Sequence, residues 1–449
     1  MKINRNAYKK LLAWKNDSNR KPLLVRGARQ VGKTTLVRQF AKEFTNYIEL
    51  NLEREADRNL FKIDDIGTLL NAAYLLKQKS PTQQPTLLFI DEIQESPKAI
   101  QQLRYFYEDT PTLFVIAAGS LLEFALSKVP SFPVGRIDYL YLHPLNFKEY
   151  LGAIGNKEAL QVVQKIPVPA YAHTTLLNLF NTYALIGGMP EIVAAYCTTK
   201  QIAGLAKQYH KLWQAYKDDV EKYARNDTDK KIIRHIIATA PFEKDRIKFE
   251  GFGNSNYRSR EVGEAIRALD LAKIIQLIYP STSVSPPLNI DYKKRPRLQF
   301  LDTGMLNQIL MLQPEIIALK HLDGFHRGKI IQHLVSQELI SIHEDIAYTP
   351  NFWVREEKNS NAEVDLVYQF DHFMIPIEVK AGKQGMLKSL HQFVERTPHP
   401  YAVRIYAGKF EIQRAKTPEG TPYLLMSMPY YLTTVLPQYL QYFITNYKL

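Results

Sequence analysis

Cysteine is nearly absent, with Cys197 the single one among 449 residues. One thiol excludes an internal disulfide and any zinc site built on cysteines, and it suits a reducing cytoplasm. Long apolar runs are missing too. No window approaches the roughly eighteen uninterrupted apolar residues of a membrane span. The opening Met1-Lys2-Ile3-Asn4 carries no apolar stretch of the kind a secretory signal needs. A cytoplasmic chain with no membrane partner is therefore expected.

Acidic residues are in deficit, and the formal net charge is +13. Residues 1–206 hold 25 basic and 18 acidic side chains, residues 207–300 hold 19 and 12, and residues 301–449 hold 14 and 15. The short middle segment thus carries about half the surplus. A basic patch there would suit a nucleic-acid backbone, and a solvated lysine-rich surface would give the same count.

With 45% apolar residues the chain can build real cores, and its length calls for several domains. Pro22-Leu23-Leu24-Val25-Arg26 reads as a short buried strand. Gly27-Ala28-Arg29-Gln30-Val31-Gly32-Lys33-Thr34 follows and matches G-x-x-x-x-G-K-[ST]; then Thr35 to Ala41 reads as a helix. Strand, glycine-bearing loop and helix are the context a phosphate-binding loop requires. Gly27 and Gly32 let backbone N–H groups turn toward phosphates, Lys33 is expected to reach the β- and γ-phosphates of ATP, and Thr34 to ligate Mg²⁺. Thr35 continues the nucleotide-binding set.

Leu87 to Ile90 is an apolar run ending in Asp91-Glu92. At the carboxyl end of a central strand, Asp91 is placed to hold the Mg²⁺ shell and Glu92 to polarise the attacking water. A third strand, Leu113 to Ala118, ends at Gly119-Ser120. Ser120 is a candidate γ-phosphate sensor; with Glu123 three residues on, it is equally a helix cap.

These motifs, with Gly135-Arg136, His143 to Tyr150 and Gly187-Gly188-Met189-Pro190-Glu191, resemble the AAA-type P-loop ATPases of bacteria and archaea. The subgroup in question carries a C-terminal domain of unknown function with a restriction-endonuclease-like fold. The resemblance implies ATP hydrolysis in a homo-oligomer, with Arg136 as the arginine offered to a neighbouring subunit's γ-phosphate.

The expected fold is α/β, in four parts: a P-loop NTPase domain (1–150), a helical lid (151–225), a winged helix (226–312) and a nuclease-like α/β domain (313–449). In the third part an apolar stripe at Val262, Ala265, Ile266, Leu269 and Ala272 predicts a helix. Two strand-like runs follow, joined by a loop beside which lie Lys293, Lys294, Arg295 and Arg297. DNA contact and an inert spacer are both open to such a unit.

In the last part, a two-residue turn at Asp371-His372 would place Val364, Leu366 and Tyr368 opposite Val379, Ile377 and Ile375. The same register sets Asp365 against Glu378 and Glu363 against Lys380, and a divalent cation would turn the carboxylate repulsion into coordination. Lys380 would then steady a nucleophilic water or a phosphate. Upstream, Glu338 lies in the apolar stripe of a helix and needs a partner. The order helix, three strands, helix, strand, with Glu338, Asp365, Glu378 and Lys380, resembles the PD-(D/E)XK nuclease superfamily. That likeness implies phosphodiester cleavage with Mg²⁺ or Mn²⁺. The expected function is an ATPase acting on nucleic acid through this domain. The alternative is an ATP-driven switch that binds protein partners, its C-terminal fold an inert adaptor.

Overall fold

The apolar runs of the first 143 residues become one parallel sheet. Its strands are β1 (Leu23–Arg26), β2 (Asn46–Asn51), β3 (Thr86–Asp91), β4 (Phe114–Ala118) and β5 (Asp138–Tyr141), in the order β2-β3-β4-β1-β5. Every pairing is parallel. β3 and β4 are buried along their whole length, as expected of strands covered on both faces. Leu24, Leu88, Ile90, Val115 and Ala117 pack with Leu69, Leu103 and Phe106 from flanking helices.

The computed structural model describes residues 3–120, 122, 135–221, 224, 226–243, 246–311, 325–345, 348–357, 360–382 and 387–449. It divides into two compact units, one of residues 4–143 with 271–273, the other of residues 1–3, 144–270 and 274–449. The helices expected as a lid, His173–Ile186, Pro190–Thr199 and Ala206–Glu221, cluster with the C-terminal unit.

In that second unit the helices Asp227–Thr239 and Ser259–Leu271 precede an antiparallel ribbon of β6 (Ile275–Ile278) and β8 (Arg297–Phe300), with β7 (Pro280–Ser281) between them in sequence. The carboxyl-terminal part adds β9 (Phe352–Glu357), β10 (Ser360–Val364), β11 (Leu366–Phe370), β12 (Phe373–Val379), β13 (Tyr401–Tyr406), β14 (Glu411–Lys416) and β15 (Pro422–Pro429). Five of these form a mixed sheet in the order β11-β12-β13-β15-β14, and β10-β9-β7 form a second.

The expected hairpin register holds from Leu366↔Ile377 to Phe370↔Phe373. It does not extend to Val364, which pairs with Trp353 on β9. The chain changes sheets at Asp365, so Asp365 stands at a corner and not opposite Glu378. Residue 378 instead pairs with Arg404 on the parallel strand β13.

A buried polar network organises the second unit. Leu145 N–H donates to Gly188 O at 2.7 Å, and Gly188 N–H donates to Asp302 Oδ2 at 2.6 Å. Asp302 also caps the helix Thr303–Ile309 through Met305 N–H. Thr303 donates twice to Gln337 Oε1, and the buried His333 accepts from Phe300 N–H. The Gly187-Gly188-Met189-Pro190 break therefore ends one helix where backbone must meet a carboxylate, before Pro190 starts the next.

Candidate functional site

The loop after β1 turns through two left-handed residues, Gln30 (φ 60°) and Gly32 (φ 95°). Gly32 is the residue before the helix Lys33–Phe40, a position open to a residue without Cβ. Such a turn aims consecutive N–H groups into one concavity at a helix start, a ready anion site. Lys33 is buried and donates to Gly27 O at 2.9 Å and Ala28 O at 2.8 Å. Its ammonium thus lies over the loop that would receive the phosphates. Thr35 faces solvent at the helix start.

Thr34 Oγ1 donates to Asp91 Oδ2 at 2.9 Å, so the two expected Mg²⁺ ligands already touch. Burial pushes the Asp91 carboxyl up to about 6, against the pull of the Thr34 hydrogen bond. Mg²⁺ suits a hydroxyl, a carboxylate and water in octahedral array, and it would hold Asp91 ionised. Glu92 follows at φ 52°, a strained conformation for a residue with a side chain. Gln94 Nε2 donates to its Oε2 at 2.6 Å.

The sheet order sets β4 between β1 and β3, so Ser120, buried at the end of β4, stands between the P-loop strand and the Asp91-Glu92 strand. The helix that Ser120 would cap lies, Leu122 apart, outside the described residues, as does Glu123. Arg136 is near the surface and donates to Glu108 Oε1 at 3.0 Å, a carboxylate it shares with Arg104. Sequence patterns gave no reason to select Arg5. It is buried and braces the P-loop, donating to Val31 O at 2.8 Å and His143 O at 2.5 Å.

The three carboxylates expected to share a cation in the last part do not meet. Glu338 is wholly engaged elsewhere. Its Oε2 accepts from Phe147 N–H at 3.0 Å, and its Oε1 faces Tyr183 Oη at 2.6 Å. The polar partners its helical position demanded are, in this structure, a helix start and a tyrosine hydroxyl. One and a half turns earlier, Gln332 holds the place beside Asp365, with Nε2 donating to Oδ1 at 3.2 Å.

Burial first, and the neighbouring Asp365 charge second, push the Glu378 carboxyl up to about 7. Asp365 Oδ2 accepts from Val379 N–H at 2.9 Å, and Glu378 Oε1 accepts from Lys380 at 2.5 Å. Arg297 donates to Glu363 and to Asp365 O, and its guanidinium lies 4.2 Å from the Phe352 ring centroid. Two cations thus sit among three carboxylates. Glu378 Oε2 is the one carboxylate oxygen of Asp365, Glu378 and Glu363 that is buried without a partner among the described residues. Among the described residues no group of three or more His, Cys, Asp or Glu could hold a metal ion.

The basic loop is also partly engaged. Lys294 and Arg246 both bind Glu356 at 2.5 Å, while Lys293 and Arg295 remain exposed. Among the described residues no helix is long and apolar enough to cross a membrane.

Three family profiles match successive stretches. Residues 19–151 match an AAA domain, residues 177–316 a domain of unknown function (DUF8612), and residues 327–426 another domain of unknown function (DUF4143). No curated protein matches the sequence. Among solved structures, a Walker-type ATPase of Pyrococcus abyssi shares 15% identity over 69% of this chain and 96% of its own, at a TM-score of 0.45. A signal-transduction ATPase with a tetratricopeptide repeat sensor from Pyrococcus horikoshii shares 13% identity over 76% of this chain and 46% of its own, at 0.29. Unliganded Pif1 from a Bacteroides species shares 18% identity over 40% and 49%, at 0.22. The assignment rests on the loop geometry and the AAA profile: residues 19–151 form an AAA-type P-loop ATPase domain, followed by two domains of families without assigned function.

Proposed function

We infer that this protein binds and hydrolyses ATP at the P-loop, and that it uses the cycle as a switch for a macromolecular partner. The carrying observation is Thr34 touching Asp91 while Lys33 rests on the loop carbonyls. Lys33 moves from those carbonyls to the β- and γ-phosphates. Thr34 and Asp91 hold Mg²⁺, which supplies charge neutralisation to the phosphates. Glu92 takes the proton of the attacking water, and Ser120 lies where it contacts the γ-phosphate. Steady-state phosphate release from ATP, with and without Mg²⁺, tests this.

Arg136 supports a second element, assembly. It sits at the surface with its guanidinium half-exposed, free to exchange Glu108 for a neighbour's nucleotide. An exposed ion pair is worth at most about 1 kcal/mol, so the exchange is cheap. Specific activity should rise with protein concentration, and Arg136→Ala should lower it at least tenfold with unchanged melting temperature. Turnover independent of concentration in a demonstrated monomer removes the in-trans role.

For the C-terminal unit, the adaptor reading is favoured by Arg297 and Lys380, which already neutralise Glu363, Asp365 and Glu378. The nuclease reading, with the winged-helix unit contacting DNA, draws on the orphaned Glu378 Oε2 and on exposed Lys293 and Arg295. The two separate in Lys33→Ala protein without nucleotide, where the ATP site contributes little. On the adaptor reading, Mg²⁺ or Mn²⁺ leaves the melting temperature unchanged. Arg297→Met then lowers stability by about 3 kcal/mol through unpaired buried charge and makes it rise with divalent ion. A metal-dependent shift in the parent that Asp365→Asn abolishes, with cleavage of DNA or RNA, instead supports the nuclease.

A further inference from the structure

We propose that Gln94 is a positioning residue for ATP hydrolysis, holding Glu92 and linking it to the loop at the end of β4. The proposal rests on Glu92 being the base. Glu92 leaves β3 in the left-handed region, a conformation that needs outside support. That support is a strong hydrogen bond from Gln94 Nε2 to Glu92 Oε2 at 2.6 Å. That bond fixes one carboxylate oxygen and leaves the other to accept a proton from water.

The other end of the same amide faces Gly119. Gln94 Oε1 is buried and has no hydrogen-bond partner among the described residues. A Cβ on residue 119 would stand 2.2 Å from it. Gly119 is therefore glycine because the Gln94 amide occupies the space a side chain would take. Ser120 is the next residue, so movement of Ser120 toward a γ-phosphate presses on, or releases, the amide that orients the base.

Steady-state kinetics test the idea, with Glu92→Gln run in parallel. Gln94→Ala is expected to lower kcat about tenfold with KM and ATP affinity unchanged. Gly119→Ala should reproduce this split by displacing the amide. In the Gln94→Ala background it should add little, because the group it displaces is gone. Gln94→Glu should be at least as slow as Gln94→Ala, since a second carboxylate repels the first. Unchanged kcat in Gln94→Ala, with Glu92→Gln inactive, overturns the positioning role alone. Full additivity of the two substitutions overturns the link to Gly119. Normal turnover in Glu92→Gln instead removes the base on which the proposal stands.

Discussion

Lys33→Ala is expected to lose ATP binding, while Glu92→Gln keeps binding and turns over about a hundred to ten thousand times more slowly. The two losses differ because the residues meet different parts of the substrate. Lys33 is buried at the loop and directs its ammonium at the loop carbonyls, where the phosphates would lie. Removing it leaves several negative oxygens against backbone N–H groups alone, so affinity itself falls. Glu92 follows Asp91 at the strand end and accepts from Gln94, which leaves one oxygen for a water. The amide of Glu92→Gln preserves shape and charge-free hydrogen bonding but cannot take a proton, and general-base contributions are of about that size. A fluorescent ATP analogue reads the affinity, and phosphate release reads the rate. Glu92→Gln at wild-type speed would assign the base elsewhere. Lys33→Ala with unchanged affinity would mean that the loop does not bind phosphate.

Glu338→Gln is expected to make the protein more stable than wild type above neutral pH by on the order of 3 kcal/mol, and to leave it near wild type at pH 5. Glu338 is 1% exposed, and burial holds its carboxyl at about 7 against an ordinary 4.5. Burial outweighs the hydrogen bonds from Tyr183 and Phe147 N–H, which favour the charged form. Tyr183 has one hydroxyl hydrogen, and both Leu145 O at 2.8 Å and Glu338 Oε1 at 2.6 Å would accept it. A protonated Glu338 donates to Tyr183, Tyr183 donates to Leu145 O, and Phe147 N–H reaches the second carboxyl oxygen. Between pH 4.5 and about 7 the folded chain keeps this proton and the unfolded chain releases it. The group's contribution is therefore full below 4.5 and lost as pH rises to about 7. An amide satisfies the same partners without titrating. Asp302, pushed up to about 6 by burial, has the same sign, and it remains in both proteins. Urea unfolding of both proteins at pH 5 and pH 8 measures the difference. A gap that does not change with pH would mean that Glu338 is already ionised in the folded unit. Compared with Glu338→Gln, Glu338→Ala, which orphans Phe147 N–H and opens a cavity, should be about 3 kcal/mol less stable at both pH values.

Local order was legible wherever neighbours in sequence are neighbours in space. The P-loop needs a strand, a loop and a helix in that order, and Pro22 to Ala41 supplies them. Asp91 and Glu92 end an apolar run, and a buried parallel strand delivers its last residues to the ligand edge of the sheet. The hairpin register followed from matching apolar residues about a two-residue turn, and it holds for β11 and β12. Gln94 was in plain view in Asp-Glu-Ile-Gln, but nothing in that string says its amide turns back on Glu92.

The sequence by itself determined the strand, loop and helix of the P-loop and the apolar pairing of the late hairpin, because each is set by residues close along the chain. Tertiary structure alone decided what Glu338, Arg297 and Asp365 do. A buried carboxylate in a helical stripe demands a partner, and its sequence position is silent on whether that partner is an ion, a cation or a backbone N–H. Phe147 lies 191 residues from Glu338, and Glu363 lies 66 from Arg297. Chain reversals of that length are fixed by the whole core, so only folding could set Glu338 against a helix start and Asp365 at an ion-paired corner.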